Sequence, residues 1–166
     1  INKYSNNVMA RQLFLTLSQQ QPGGASAEAS REVVRDWWQS RMGGTAQDAP
    51  LLDNGAGLSR QARITPRGLA RMLQSAYASG VMPELMASLP INGVDGTLKR
   101  HQPTDSHGLA HLKTGSLRDS TALAGYVDAP GGRRLVIVAI VNHPNAAAAR
   151  PALEALVDWA VKEGAR

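Results

Sequence analysis

The run His111–Leu117, HLKTGSL, places reactive types of side chain on what otherwise reads as a plain strand. Lys113 supplies a cation, Thr114 and Ser116 supply hydroxyl groups, and Gly115 between them has no side chain. A glycine inside a strand weakens it and often marks a bulge or the close approach of another molecule. The run therefore indicates a strand that something approaches. The alternative is a surface strand that carries a lysine.

A second candidate pair lies near the start of the chain, where Ser5 and Asn7 form a Ser-x-Asn pattern. Taken alone, this pattern is typical of an ordinary helix N-cap. Its combination with Lys-Thr-Gly on a strand, a hairpin and a final helix is more informative. Ser-x-x-Lys, Ser-Asp-Asn and Lys-Thr-Gly are the motifs of penicillin-binding proteins and class A β-lactamases.

Over nearly its whole length the chain resembles one family, the D-alanyl-D-alanine carboxypeptidase/endopeptidases (class C low-molecular-mass penicillin-binding proteins). In DNGAGLSR, the family's Gly-rich segment, Ala56 stands where a serine is also common. The resemblance implies a serine-type peptidase, periplasmic or secreted, that acts on peptidoglycan stem peptides, binds β-lactams and needs no cofactor. The segments that carry it are NKYSNNVMARQLFLTL, LLDNGAGLSR, GVDGTLKR, LKTGSLRDSTALAGYV and NHPNAAAARPALEALVDW.

The resemblance also implies roles for the Lys-Thr-Gly-Ser residues. Lys113 would attract the C-terminal carboxylate of a D-Ala-D-Ala peptide, and Thr114 and Ser116 would offer it hydroxyl groups. Gly115 would keep the strand bare where the substrate backbone passes. On an edge strand the peptide would dock as an added strand. The backbone N–H of Ser116 would be one of two oxyanion donors.

Ser5 and Asn7 match the family's second motif. Ser5 would relay a proton to or from the nucleophile and the leaving amine. Asn7 would orient the general base and the substrate amide. Both roles are implied by the resemblance.

The chain departs from the family pattern in one respect, because it contains no Ser-x-x-Lys. The nucleophile, its lysine base and the second oxyanion N–H are therefore expected to lie elsewhere. In the family, extra domains separate the first and second motifs, so this chain is expected to be the part that follows them. We expect it to be inactive alone and to work with the N-terminal remainder of its own chain. The residues three positions before its lysines are Gly96, Ala110 and Trp159, and Lys3 has none.

Composition excludes several other classes of function. The 18 Lys and Arg outnumber 13 Asp and Glu, but no basic run is interleaved with aromatic residues, which disfavours a single-stranded nucleic-acid platform. The absence of cysteine excludes disulfides and thiolate sites. The longest apolar run, Leu135–Val141, is too short to span a bilayer.

Histidines close in sequence raise the question of a metal site. His101, Asp105, His107 and His111 lie within one short stretch. They match neither HExxH nor paired cysteines, and a proline-bearing loop separates them. Loop and cleft-rim histidines are the favoured interpretation, with no metal.

Apolar spacing predicts helices over residues 7–20, 27–42 and 66–79 and a short one over 83–90. Ser26 is a predicted N-cap, and Thr65 followed by Pro66 is a predicted helix start. Residues 45–59 and 91–108 read as loops. A covering helix is predicted near the C terminus, with Ala149, Leu153, Leu156, Val157, Ala160 and Val161 on one face.

Three strand-like runs follow from Leu109: LAHLKTGSL, TALAGYVDA and RRLVIVAIVN. Pro130-Gly131-Gly132 predicts a hairpin between the last two. The fold class is therefore α+β, with helices first, then a three-stranded antiparallel sheet and a C-terminal helix. With the family resemblance this is part of a β-lactamase/transpeptidase-like fold. The chain is one region, residues 1–166, mainly helical over 1–108 and sheet plus helix over 109–166.

The apolar run Leu135–Val141 predicts a strand buried on both faces. The full transpeptidase fold has five strands, so this strand is expected to be an open edge in the chain alone. Such an edge invites pairing with another chain. Either an N-terminal companion fills it or two copies dimerise through it.

Two alternative functions remain open. A serine β-lactamase or esterase of the same fold would share these motifs. A non-catalytic module would instead use the basic surface to hold cell-wall polymer.

Overall fold

The computed structural model describes residues 1–43 and 48–164. The chain divides into two compact units, one made of residue 1 with residues 6–72 and the other of residues 2–5 with the chain from residue 73 onward. The assignment of the chain as one region of a catalytic domain, with its division at residues 108 and 109, stays a prediction.

The first unit contains helices α1 (Asn7–Thr16) and α2 (Ala27–Met42). Helix α2 has the predicted bounds because both ends carry a capping residue. The Ser26 hydroxyl accepts a hydrogen bond from the Ala29 N–H at 3.1 Å, and Gly43 ends the helix in the left-handed region with φ of 50°.

Helix α1 is shorter than predicted. It ends at Thr16, and residues 17–20 form turns instead of a further helical turn. Phe14 is its one buried residue. The apolar residues whose near-helical spacing predicted this helix are exposed: Val8, Met9, Leu13 and Leu17.

Helix α3 (Pro66–Tyr77) begins as predicted, because the Thr65 hydroxyl accepts from the Gly68 N–H at 2.9 Å. Helix α4 (Met82–Ser88) follows. The predicted loop over residues 45–59 lies outside the described residues at 45–47. In the described part it includes Leu51, which bridges to Arg63 through two backbone hydrogen bonds of 2.8 Å.

Strands β1 (Ala110–Leu117), β2 (Ser120–Asp128) and β3 (Arg134–Asn142) form one antiparallel sheet in the order β1-β2-β3. The predicted hairpin joins β2 to β3, and the Ala129 N–H donates to the Arg133 carbonyl at 2.8 Å. The α+β class and the three-stranded sheet are confirmed.

The prediction that β3 is buried on both faces is wrong. Ile137 is its one buried residue, and most of the others are half-buried. The reason is that β3 is at the edge of the sheet and α5 (Arg150–Gly164) packs against one face of the sheet. The expectation of an open apolar edge is therefore met in the described chain.

The core of the second unit lies between α5 and the sheet. Leu98 joins it from the loop that precedes β1, so that loop is anchored beside the strand. Within the described residues no helix has both the length and the apolar character needed to cross a bilayer. The buried cluster includes Ala110, Leu112, Leu123, Val127, Ile137, Leu153, Val157, Ala160 and Val161.

Candidate functional site

The outer edge of β1 is occupied along only one half. The Leu112 N–H donates to the Pro90 carbonyl and the Asn92 N–H donates to the Ala110 carbonyl, both at 2.9 Å. These bonds form an isolated antiparallel bridge between Ile91 and His111. The half of β1 that carries the Lys-Thr-Gly motif lies beyond this bridge.

Alternation along the strand determines which backbone groups face that free edge. Because the Leu112 N–H points away from β2, the N–H groups of Thr114 and Ser116 point the same way. Neither has a backbone partner on that edge within the described residues. Gly115 and Ser116 are exposed and Thr114 is half-buried, so the edge is accessible. This arrangement can accept a short extended peptide.

Lys113 and Ser5 are brought together although they are 108 positions apart in sequence. The Lys113 ammonium donates to the Ser5 hydroxyl at 3.1 Å and to the Thr114 carbonyl at 2.7 Å. Burial lowers the pKa of Lys113 below its ordinary value of 10.5. Lys113 is thus a cation that donates a hydrogen bond to a hydroxyl group, and its lowered pKa means that it loses its proton more readily than an ordinary lysine.

Ser5 is positioned by a short 3₁₀ turn, Asn2–Tyr4, that is bound to the segment before β1. The Lys3 ammonium donates to the Leu89 carbonyl at 2.6 Å and to the Asp95 carboxylate at 2.7 Å. Ser5 itself has a φ of 52°, a left-handed conformation that is uncommon for residues other than glycine. Such a conformation persists when surrounding contacts hold it.

Asp95 connects this turn to the loop. Burial alone would raise the pKa of Asp95, but the Lys3 ammonium and the Ile91 N–H together hold it below its ordinary value of 3.8. The carboxylate accepts from the Ile91 N–H at 2.7 Å. One side chain therefore fixes both the turn that carries Ser5 and the segment that pairs with β1. Lys3 and Asp95 lie in segments that carry the family resemblance, but nothing in the sequence indicates that the two side chains form an ion pair, and sequence reasoning missed this contact.

Replacing Asp95 by asparagine should lower the melting temperature by about 2–4 °C, because an ion pair of about 1 kcal/mol is lost. Since the pKa of Asp95 is lowered in the folded state, its stabilising effect should be present at neutral pH. It should disappear as the pH falls through that lowered pKa, below 3.8. Thermal melts of both proteins across this pH range measure the difference. Asp36→Asn at an exposed position of α2 is the matched control, and an equal effect there would contradict the assignment.

Asn7 belongs to the first unit, where it is the first residue of α1. Its side-chain amide donates to the Ala56 carbonyl at 2.5 Å, within the predicted Gly-rich segment. Asn6, the middle residue of Ser-x-Asn, caps the helix by accepting from the Met9 N–H at 2.9 Å. Asn6 is therefore the N-cap of α1, and the Asn7 side chain instead binds the Gly-rich segment.

Gly55 allows the Gly-rich segment to lie on α1. Its φ is 70°, and a Cβ there would overlap the side chain of Phe14. This close approach keeps the Ala56 carbonyl beside Asn7.

Two histidines of the predicted histidine stretch lie against neighbouring residues of the second unit. The His101 Nδ1 lies 3.9 Å from a carboxylate oxygen of Glu154, and His107 lies against Gly93. Residues 1–43 and 48–164 hold no group of three or more side chains suited to a metal ion. Asp158 on α5 orders the same loop by accepting hydrogen bonds from the N–H groups of residues 104–106 and the Ser106 hydroxyl.

A family model for D-Ala-D-Ala carboxypeptidase 3 (S13) matches residues 1–163. This match covers nearly all of the chain, and the chain belongs to the D-Ala-D-Ala carboxypeptidase 3 (S13) family. The D-alanyl-D-alanine carboxypeptidase of Actinomadura sp. (strain R39) is 31% identical over 149 residues, which cover 85% of this chain and 27% of that protein. Carboxypeptidase DacB of Mycolicibacterium smegmatis is 32% identical over 159 residues, 92% of this chain and 34% of that protein.

Solved structures share the fold. Penicillin-binding protein 4 of Haemophilus influenzae is 27% identical, with a TM-score of 0.76 over 87% of this chain and 32% of its own. A predatory endopeptidase of Bdellovibrio bacteriovorus, solved in its penicillin G-acylated form, has a TM-score of 0.78 over 98% of this chain and 44% of its own. At 17% identity that likeness shows the fold alone. The chain spans about a quarter to a third of the two curated relatives' lengths.

Proposed function

We propose that this chain forms part of the active site of a serine-type D-Ala-D-Ala carboxypeptidase/endopeptidase that cleaves peptidoglycan stem peptides. The observation that carries the proposal is the 3.1 Å hydrogen bond from the Lys113 ammonium to the Ser5 hydroxyl. It joins two motifs far apart in sequence, as one active site requires. Periplasmic or secreted action follows from this substrate, which is a cell-wall polymer.

Lys113 and Ser5 are the proton-handling groups in this proposal. Acyl transfer needs a proton taken from the nucleophile and a proton given to the leaving amine. The Ser5 hydroxyl would pass it, because a hydroxyl both donates and accepts. The Lys113 ammonium favours ionised forms beside it and attracts the substrate carboxylate. Its lowered pKa eases proton exchange with Ser5.

The peptide would dock along the free half of the β1 edge. The Thr114 N–H would pair with the substrate backbone, and the Ser116 N–H would donate to the oxyanion. The hydroxyl groups of Thr114 and Ser116 would receive the terminal carboxylate. Gly115 leaves room because it has no side chain. Asn7, held by the Ala56 carbonyl, is proposed to orient the substrate amide and the general base.

The nucleophile is not among these residues, since no Ser-x-x-Lys is present. We therefore expect this chain alone to form no covalent adduct with a fluorescent penicillin, as read by gel fluorescence and intact mass. The longest reading frame that contains the chain is expected to carry Ser-x-x-Lys and to be acylated at that serine. Acylation of the chain alone would contradict its inactivity. An unreactive longer protein with an intact Ser-x-x-Lys would contradict the proposed activity.

The β3 edge is proposed to pair with the N-terminal remainder of the same chain, and dimerisation through β3 is the alternative for the chain alone. Light scattering tests the alternative, because a monomer at high concentration would exclude it. A basic cell-wall-binding module is tested by a pull-down on purified peptidoglycan. Loss of binding in Lys113→Ala would place the interaction at the cleft.

A further inference from the structure

A cavity of about 190 Å³ lies between β1, β2, the loop before β1 and α5. Part of its lining is apolar, from residues such as Leu98, Leu112 and Leu153. The rest is polar and includes Thr114 and Ser116. A dry engineered cavity of about 150 Å³ holds benzene, so this space accommodates a group the size of one small amino-acid residue.

Arg150, the first residue of α5, also lines this cavity. Its side chain is exposed, and within the described residues the guanidinium has no ion pair or hydrogen-bond partner. A guanidinium presents N–H donors in a fork that matches a carboxylate bidentately. An unpaired arginine that lines the same cavity as the hydroxyl-bearing Thr114 and Ser116 is therefore suited to bind a carboxylate.

We propose that Arg150 binds the C-terminal carboxylate of the peptide together with Thr114 and Ser116, while the cavity receives the terminal residue. The proposal rests on the proposed function, because that function places a peptide terminus beside β1. It adds a specificity-determining residue from α5, outside the three sequence motifs. Arg150 would make the site selective for a free chain end over an amidated or extended one.

The other polar groups around the cavity limit what it binds. Glu154 lies one helical turn after Arg150 on α5 and faces the same space, with its carboxylate near His101. Its negative charge opposes a bound anion. The Oδ1 atom of Asn92 is buried without a donor in the described part of the chain. A ligand with both a carboxylate and an amide N–H, which is the end of a peptide, satisfies Arg150 and Asn92 together.

The test compares N-acetyl-D-alanine with N-acetyl-D-alaninamide, which lacks the charge. Titrations followed by the amide NMR signals of Thr114 and Ser116 give both affinities in the chain alone, without the nucleophile. The wild type should bind the acid about tenfold more tightly than the amide. Arg150→Gln should remove this preference for the acid. Arg150→Lys should keep about a third of the preference, because lysine retains the positive charge but lacks the forked N–H donors of the guanidinium. Glu154→Gln should tighten binding of the acid by about twofold.

Arg133→Gln is the control, because it removes the same charge at the opposite end of the sheet and should change both affinities less than about twofold. Equal binding of acid and amide by the wild type would overturn the proposal. The proposal would also be overturned if Arg150→Gln bound the acid and the amide with the same affinities as Arg133→Gln while its melting temperature showed that it was folded. Failure of the proposed function has a different signature: the acid binds through Arg150, but the longer protein does not react with penicillin.

Discussion

If the proposed function holds, Lys113→Ala is expected to lower the rate of acylation by penicillin about a thousandfold in a longer protein that contains both this chain and a Ser-x-x-Lys segment. Two effects combine. The Ser5 hydroxyl loses the cation that donates to it at 3.1 Å, and the substrate carboxylate loses an attractive charge. The fold should be unaffected, because burial makes the charged form of Lys113 costly and an alanine removes that cost. The measurement is the second-order rate constant with a fluorescent penicillin.

Lys99→Ala is the matched control for Lys113→Ala. Lys99 is exposed in the loop before β1, so its removal changes the net charge equally without touching β1. Its rate should stay within about twofold of the wild type. A Lys113→Ala rate within tenfold of the wild type, with a normal melting temperature, would show that Lys113 is not part of the reacting site.

Gly125→Ala is expected to have the largest effect on stability, a loss of about 3–5 kcal/mol. Gly125 lies in the middle strand with a φ of 155°, and a Cβ there would overlap the backbone carbonyl of His111 on β1. Backbone atoms within a sheet cannot give way as a flexible side chain does, so β1 and its Lys-Thr-Gly motif must shift. The melting temperature should fall by more than about 6 °C.

Gly115→Ala separates this structural effect from a functional one. A Cβ at Gly115 meets only Ala122, at an ordinary 3.7 Å, so the sheet should remain folded with a melting temperature within about 2 °C. The added methyl group stands on the proposed peptide path, so peptide binding should fall about tenfold or more. Similar melting temperatures for the two alanine variants would contradict the proposed difference between a packing glycine and a site glycine.

Local chemistry in the sequence predicted much of the fold. Ser26 and Thr65 predicted where α2 and α3 begin, because an N-cap is decided by neighbouring residues. The hairpin between β2 and β3 followed from its Pro-Gly-Gly. The burial of β3 was predicted wrongly, because an apolar run records what a strand prefers, whereas burial depends on which neighbours are present.

The candidate site was predictable only where motifs carried it. Thr114, Gly115 and Ser116 lie on an accessible strand edge, and the Lys113 ammonium donates a hydrogen bond to the Ser5 hydroxyl. Two features could not be predicted from the sequence, because each depends on contacts between distant parts of the chain. They are the ion pair between Lys3 and Asp95 and the position of Arg150 at the cavity. Such contacts leave no periodicity in a single sequence. The catalytic roles of the motif residues stay predictions.

The bridge between Ile91 and His111 has a further consequence for self-association along the β1 edge. A strand with a fully open edge is a template for endless addition of other chains, as in fibrils. Here residues 90–92 block half of that edge, so the remaining stretch, Lys113–Leu117, spans only about 16 Å. The flexible end of a peptide fits this length, whereas residues 90–92 would prevent a longer strand of another folded protein from pairing along all of β1. The same backbone hydrogen bonds that shape the cleft therefore protect the protein against uncontrolled self-association at β1.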